Sequence, residues 1–257
     1  MDEQLVCFYR ISDCFQDSST GAAVFKARPG GFDKRKCLLN FLSVFGEDHV
    51  VIIADQVGKQ TLEWLHTLVP DNRIVTTTYK SGAFSFLHAA RLAAKLPGEV
   101  CVYLCEDDYL HTADARTCLL EGLSIGDYVT TYDHPDKYVD SGTVDGAGCR
   151  GNPLVANRSE CTRVYRTQSV HWKETNSTTM TFAARARTIQ KDLDVYVTFC
   201  RTGYPYDYAM FRHLVPPRKL VSSLPGKSTH CESVNMSPMV DWETTFSVSP
   251  RLPDGVV

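Results

Sequence analysis

Between residues 5 and 105 the chain alternates short apolar runs with stretches whose apolar residues return every three or four positions. Leu5-Val6-Cys7-Phe8-Tyr9 reads as a buried strand. Residues 32–45 set Cys37, Leu38, Phe41, Leu42 and Phe45 on one helical stripe behind Asp33, which is placed to cap the helix. The pattern then repeats: a strand over 49–54 ending at Asp55, a helix over 59–68, a strand over 73–79, a helix over 83–96 with Ala83, Leu87, Ala90 and Ala94 inward, and a strand over 100–105. Strands that alternate with helices return to the same edge of a sheet, so the expectation is an α/β fold with a parallel sheet covered by helices.

The chain is 257 residues long and 43% hydrophobic, enough to bury the core of one enzyme-sized unit. Its 27 Lys and Arg against 30 Asp and Glu leave a net charge of -3, with no basic stretch, which argues against nucleic acid as a partner. Met1-Asp2-Glu3-Gln4 has neither the basic nor the apolar region of a signal peptide, and no apolar run reaches the roughly 20 residues of a membrane span. A soluble, cytoplasmic protein is expected. Cys7, Cys101, Cys105 and Cys200 fall in apolar segments and no CxxC pair occurs, so they read as reduced core residues. A zinc site from Cys105, Cys118 and His111 matches no ligand spacing, and the sequons at Asn157, Asn176 and Asn235 lack a secretory route.

In open α/β sheets ligands collect outside the carboxyl ends of the strands. Polar clusters fall at those ends: Arg10 to Asp13 after the first strand, Asp55 after the second, Lys80-Ser81-Gly82 after the third and Glu106-Asp107-Asp108 after the fourth. The last carries the most chemistry, because three adjacent carboxylates repel one another unless a cation shares them, and a hard divalent metal would do so. In extended chain Glu106 and Asp108 project to one side, leaving Asp107 to hold the turn through backbone hydrogen bonds. The competing reading is a solvated acidic turn.

An apolar strand followed by Glu-Asp-Asp and then Tyr109-Leu110 resembles the DxD-type motif of GT-A glycosyltransferases, in the form found in Golgi N-acetylglucosaminyltransferases and in small bacterial and large-DNA-virus nucleotide-sugar transferases. The resemblance implies a GT-A fold: a Rossmann-like, mostly parallel sheet flanked by helices, with a smaller antiparallel sheet on the acceptor side. It implies one catalytic domain, with residues 1–132 as the nucleotide-sugar half and 133–257 as the acceptor half carrying a C-terminal loop over the donor. Asp108 would coordinate Mn²⁺ or Mg²⁺ bridging the donor phosphates, and Glu106 would face the ribose or sugar. Tyr9, Arg10, Ser12, Lys80 and Gly82 would contact the nucleotide, with Asp55 accepting the ring N–H of the base. The partners implied are a nucleotide-sugar, a UDP-sugar above others, and a glycan or glycoprotein acceptor.

In the second half, residues 111–124 read as a helix, 127–132 as a strand, 133–138 as a polar, aromatic loop, and 163–167, 169–173 and 178–183 as strands of the smaller sheet. Asp207 precedes an amphipathic stretch through Phe211 and Leu214. It is either an N-cap, with a depressed pKa, or the general base that the resemblance implies in an inverting enzyme, with Asp133 and Asp136 as substitutes. Residues 224–232 lack the glycine spacing of a phosphate loop. There His230 is either a surface histidine or the late metal ligand that the resemblance implies, and Lys227 and Ser228 are placed to meet phosphate oxygens. Trp172, Tyr204, Tyr206 and Trp242 are candidates for stacking on sugars. The rival readings are a sugar-phosphate nucleotidyltransferase, which would show a Gly-rich basic loop directly after the first strand, and a non-catalytic carbohydrate-binding protein of the same fold.

Overall fold

A computed structural model describes residues 4–13, 27–140, 143, 144, 146, 148, 151 and 163–248. The Asn157 sequon and the end of the chain from 249 lie outside the described residues. The first half follows the expected alternation: β1 (Leu5–Ile11), α1 (Lys34–Phe45), β2 (Val50–Asp55), α2 (Lys59–Leu68), β3 (Ile74–Thr77), α3 (Gly82–Ala93) and β4 (Cys101–Glu106). Asp33 caps α1 as expected, its carboxylate accepting from the Arg35 amide at 2.8 Å. After β4 come β5 (Tyr109–His111), α4 (Ala115–Gly122), β6 (Tyr128–Thr130), β7 (Val164–Arg166), β8 (His171–Glu174), β9 (Phe182–Arg185), α5 (Ala186–Cys200), α6 (Asp207–Leu214), β10 (Leu220–Leu224), β11 (Ser228–His230) and α7 (Trp242–Val248).

Nine strands form one sheet in the order β3-β2-β1-β4-β9-β6-β10-β8-β7, and β8 and β9 run against the rest. The α/β class expected from the sequence is therefore what the chain adopts: a mostly parallel sheet flanked by helices, with a small second sheet. The membership of that second sheet differs from expectation. The strands near 163–185 join the main sheet, while the separate sheet is the antiparallel pair β5 and β11. Strand periodicity specifies which face of a strand is apolar but not which neighbour it pairs with, so this could not be read locally.

Strand alternation also divides the core. Leu5, Cys7, Tyr9 and Ile11 of β1 pack into the layer that holds Leu38 and Phe41 of α1, Trp64 of α2 and Leu119 of α4. Phe8 faces the opposite layer, with Phe86 of α3, Ile189 of α5 and Phe211 of α6. This corrects the expectation for Tyr9. Its side chain is fully buried, with its ring 4.8 Å from Phe41, because every second residue of β1 must point into that layer. Trp172 and Trp242 are core residues too, their indole N–H groups donating to the Thr167 hydroxyl and the Ser237 carbonyl. Trp172 lies so close to Gly122 that a Cβ there would meet its ring at 2.7 Å, which explains a glycine at the end of α4.

The helix expected over 111–124 is shorter than its apolar pattern. Residues 109–111 are taken by β5, because the Asn40 side chain of α1 grips the His111 backbone at both ends, donating to its carbonyl at 3.0 Å and accepting from its amide at 2.8 Å. His230, expected on a loop over the donor, lies in strand β11, paired to β5 opposite Tyr109. Among the described residues no helix is long and apolar enough to cross a membrane.

Candidate active site

The register of β1 against β4 sets Arg10 beside Glu106 at the carboxyl ends of both strands. Arg10 is buried, and its guanidinium lies 3.4 Å from the Glu106 carboxylate. It also donates to the carbonyls of Gly82, at the start of α3, and Met180, just before β9, so one cation ties three segments around the site. Thr181 completes the Glu106 environment, with its hydroxyl accepting from the Glu106 amide at 3.2 Å and donating to the carboxylate at 3.3 Å. About a third of the Glu106 side chain remains open to solvent, 32% of its surface.

Asp107 and Asp108 form the turn from β4 into β5. Asp107 accepts from the Ser12 amide at 2.9 Å and from Lys34 Nζ at 2.7 Å, and Lys34 also donates to the Ser12 carbonyl. Asp107 thus ties the acidic turn to the Ser12 backbone after β1. Burial pushes the Asp107 carboxyl up, Lys34 opposes this, and the neighbouring Asp108 adds to it. Asp108 is buried, and its Oδ2 meets both Arg28 Nη1, at 3.0 Å, and His230 Nε2, at 2.9 Å.

Each acid of the triplet therefore has its own basic partner: Arg10 for Glu106, Lys34 for Asp107, and Arg28 with His230 for Asp108. The cations expected to relieve the repulsion among these acids are supplied, among the described residues, by basic side chains from elsewhere in the chain. The metal-ligand candidates Asp108 and His230 are nevertheless brought together, at the end of the antiparallel pair β5–β11, where the Cys231 amide donates to the Asp108 carbonyl at 2.8 Å. His230 stacks on Tyr109 with ring centroids 5.2 Å apart. Among the described residues no three His, Cys, Asp or Glu side chains come together as a metal-binding group. A carboxylate oxygen and an imidazole nitrogen are donors of the kind Mn²⁺ or Mg²⁺ accepts when phosphate oxygens and water fill the other positions.

Asp207 is the first residue of α6 and is half-buried, and it accepts from the Tyr208 amide at 2.7 Å. Burial raises its pKa to about 7, the Tyr208 amide works against this, and Glu106 is near enough for its charge to add to the rise while His230 opposes it. A simple cap would show the opposite shift. Next to it, Tyr204 and Tyr206 are exposed and meet edge to face at 5.0 Å. The substitutes proposed for Asp207 are engaged otherwise: Asp133 pairs with Lys173 at 2.9 Å and Asp136 with His134 at 2.8 Å.

The remaining candidates divide. Asp55 is buried and its Oδ1 accepts from the Thr77 hydroxyl and the Tyr79 amide, so it braces the loop after β3. Lys80 is exposed on that loop and Gly82 opens α3, with empty space where a Cβ would stand. Lys227 is corrected: its Nζ bonds Asp114 at 2.7 Å, and the β5–β11 register sets it opposite Thr112, at the end of the small sheet away from Asp108. In turn, Arg28, Lys34 and Thr181 were missed. The only sequence signal for the first two was a pair of basic residues flanking Pro29-Gly30-Gly31-Phe32-Asp33, between the first strand and its helix.

No protein-family model matches the chain, and no curated protein matches it. Solved structures similar to it include 4-diphosphocytidyl-2C-methyl-D-erythritol synthase from Anaerococcus prevotii, at 11% identity over 95% of this chain and 94% of that one, with a TM-score of 0.44. The bifunctional IspDF from Campylobacter jejuni aligns at 10% identity over 85% of this chain, with a TM-score of 0.44, and this chain spans about half of that protein, 49%. The galactosyltransferase LgtC, solved with donor and acceptor sugar analogues, aligns at 7% identity over 84% of this chain and 72% of its own, with a TM-score of 0.44. Overlaps this loose carry no argument about activity, which has to come from the site.

Proposed function

We propose that the chain is a metal-dependent glycosyltransferase that moves a sugar from a nucleotide-diphosphate donor, a UDP-sugar, to a hydroxyl of a glycan or glycoprotein, with inversion. The observation that carries this reading is the gathering of Glu106, Asp108 and His230 at the carboxyl end of the sheet, with Asp207 at the start of α6 within electrostatic reach of Glu106 and His230 and its pKa raised to about 7 by burial. A group with that proton affinity suits general-base work at neutral pH. Asp207 takes the proton from the attacking acceptor hydroxyl, and Tyr204 and Tyr206 offer exposed aromatic faces to the acceptor sugar. Arg10 fixes Glu106 toward the donor, and Asp107 with Lys34 keeps the turn in shape. Asp108 and His230 would hold Mn²⁺ or Mg²⁺, which when bound supplies positive charge against the departing diphosphate.

The test is product analysis with purified protein, Mn²⁺ and a panel of UDP-sugars, with and without glycan acceptors. Release of uridine diphosphate together with sugar transfer is the expected result. Release of pyrophosphate from a nucleoside triphosphate and a sugar phosphate would instead mark a nucleotidyltransferase and overturn the reading.

A further inference from the structure

Two nitrogen donors crowd a single oxygen of Asp108, the residue proposed to carry a divalent cation. Arg28 Nη1 and His230 Nε2 stand 3.0 Å and 2.9 Å from Oδ2, and the carboxylate is buried. For a metal ion to sit between Asp108 and His230, the Oδ2 lone pairs and the Nε2 lone pair must both turn toward it. A guanidinium bonded to the same oxygen blocks that approach sterically and repels the ion. Arg28 is also held independently of Asp108. The same Nη1 donates to the Cys231 carbonyl at 2.7 Å, the guanidinium lies 4.4 Å from the centre of the Phe32 ring, and the Ala27 carbonyl accepts from the Ser233 amide at 2.8 Å. Arg28 can therefore leave Asp108 and remain at the rim of the site.

We propose that Arg28 is an exchangeable cation: it neutralises Asp108 while no divalent ion is bound, gives way to the ion, and then donates to the diphosphate of the arriving nucleotide. This rests on the metal-dependent reading above. A guanidinium forks onto phosphate oxygens as readily as onto a carboxylate, so the side chain has a partner in both states. The proposal has a signature that a purely structural role would not produce. Removing the guanidinium strengthens binding of the ion alone and weakens binding of the nucleotide once the ion is present.

The experiment titrates Mn²⁺ into wild type, R28Q, R28K and D108N, reading free Mn²⁺ by electron paramagnetic resonance, and then titrates UDP calorimetrically at saturating Mn²⁺. Thermal unfolding of each variant confirms that it is folded. R28Q is expected to bind Mn²⁺ about tenfold more tightly than wild type and UDP about tenfold more weakly. R28K should stay close to wild type for Mn²⁺, and D108N should lose the site. If R28Q and wild type bind Mn²⁺ equally, or R28Q binds it more weakly, the exchange role is overturned while the metal site stands. If neither binds Mn²⁺, the metal-dependent reading falls and takes this proposal with it. An unfolded R28Q leaves R28K to decide: a lysine cannot fork onto two phosphate oxygens, so wild-type UDP affinity in R28K overturns the diphosphate contact.

Discussion

Lys34 Nζ stands 2.7 Å from Asp107 Oδ2 and also donates to the Ser12 carbonyl, so one ammonium joins the first turn of α1, the end of β1 and the acidic turn. Both side chains of the pair are largely shielded, with 16% and 14% of their surface exposed. Replacing Lys34 by Met should therefore leave the shielded Asp107 carboxylate without its cation. A loss on the order of 3 kcal/mol in urea unfolding at pH 7 is expected, shrinking in K34M/D107N. Equal losses in the single and double variants would show that the pair is not what braces the turn.

Asp207 gives two linked expectations. Its carboxyl titrates near 7 in the folded chain, against about 3.9 when unfolded. Between those values the folded chain holds a proton that the unfolded chain does not, so Asp207 lowers stability progressively as pH rises from about 4 to about 7. Asp207→Asn removes that cost and should stabilise the protein at pH 8 by on the order of 2 kcal/mol. The same substitution should leave UDP binding in place and cut transfer by about 10²–10⁴-fold. In wild type, transfer should decline as pH falls below about 7. A variant that is more stable and equally active would remove Asp207 from the chemistry.

His111 predicts an acid limb. It is fully buried among Phe41, Phe45 and Tyr103, and burial pushes its pKa down to about 3. The unfolded histidine, near 6.5, takes up a proton that the folded one refuses, so its contribution is complete above about 6.5 and is lost as pH falls toward 3. At pH 4.5 the loss should be about 2–3 kcal/mol. In H111F, denaturation midpoints at pH 7 and pH 4.5 should lie closer together than in wild type.

Asn40 holds both backbone groups of His111, and through them the strand that carries Tyr109 opposite His230. Asn40→Ala strands a buried N–H and C=O and should cost about 2–4 kcal/mol. Its second effect is expected at the site, as weaker Mn²⁺ binding than in wild type, because His230 lies on the strand paired with β5. Unchanged hydrogen exchange at the Leu110 and His111 amides would show that β5 does not depend on this contact.

In the proposed reading Tyr204 and Tyr206 bear on the acceptor side. Replacing both with alanine should raise the KM for a glycan acceptor about tenfold while leaving slow donor hydrolysis intact, since neither ring is needed by the core. Equal losses in hydrolysis and transfer would place these rings on the donor instead.

The first half of the fold was legible because its signals are local. Apolar spacing in residues 59–68 predicted α2 to the residue, and Asp33 identified itself as a cap by position alone. The carboxyl ends of β1, β2 and β4 were legible as the place where polar side chains collect, and the structure sets Asp108 beside His230 there. The site was not legible in its charge balance. Arg28 and Asp108 are 80 residues apart, and nothing near either names the other. Tyr9 was misassigned for a related reason: a tyrosine one residue before a polar strand end can face either layer until the layers exist.

What the amino-acid order determined by itself is periodic: which segments become helices or strands, which face of each is apolar, and where carboxylates concentrate at a strand tip. Those properties follow from backbone geometry and from the exclusion of apolar surface from water over a few residues. Tertiary structure alone decided which strands share a sheet, that Lys227 faces Asp114 instead of the acidic turn, and that Arg28, Lys34 and Arg10 each neutralise one acid. Electrostatic pairing depends on distance through space, and distance through space exists only after the chain has folded.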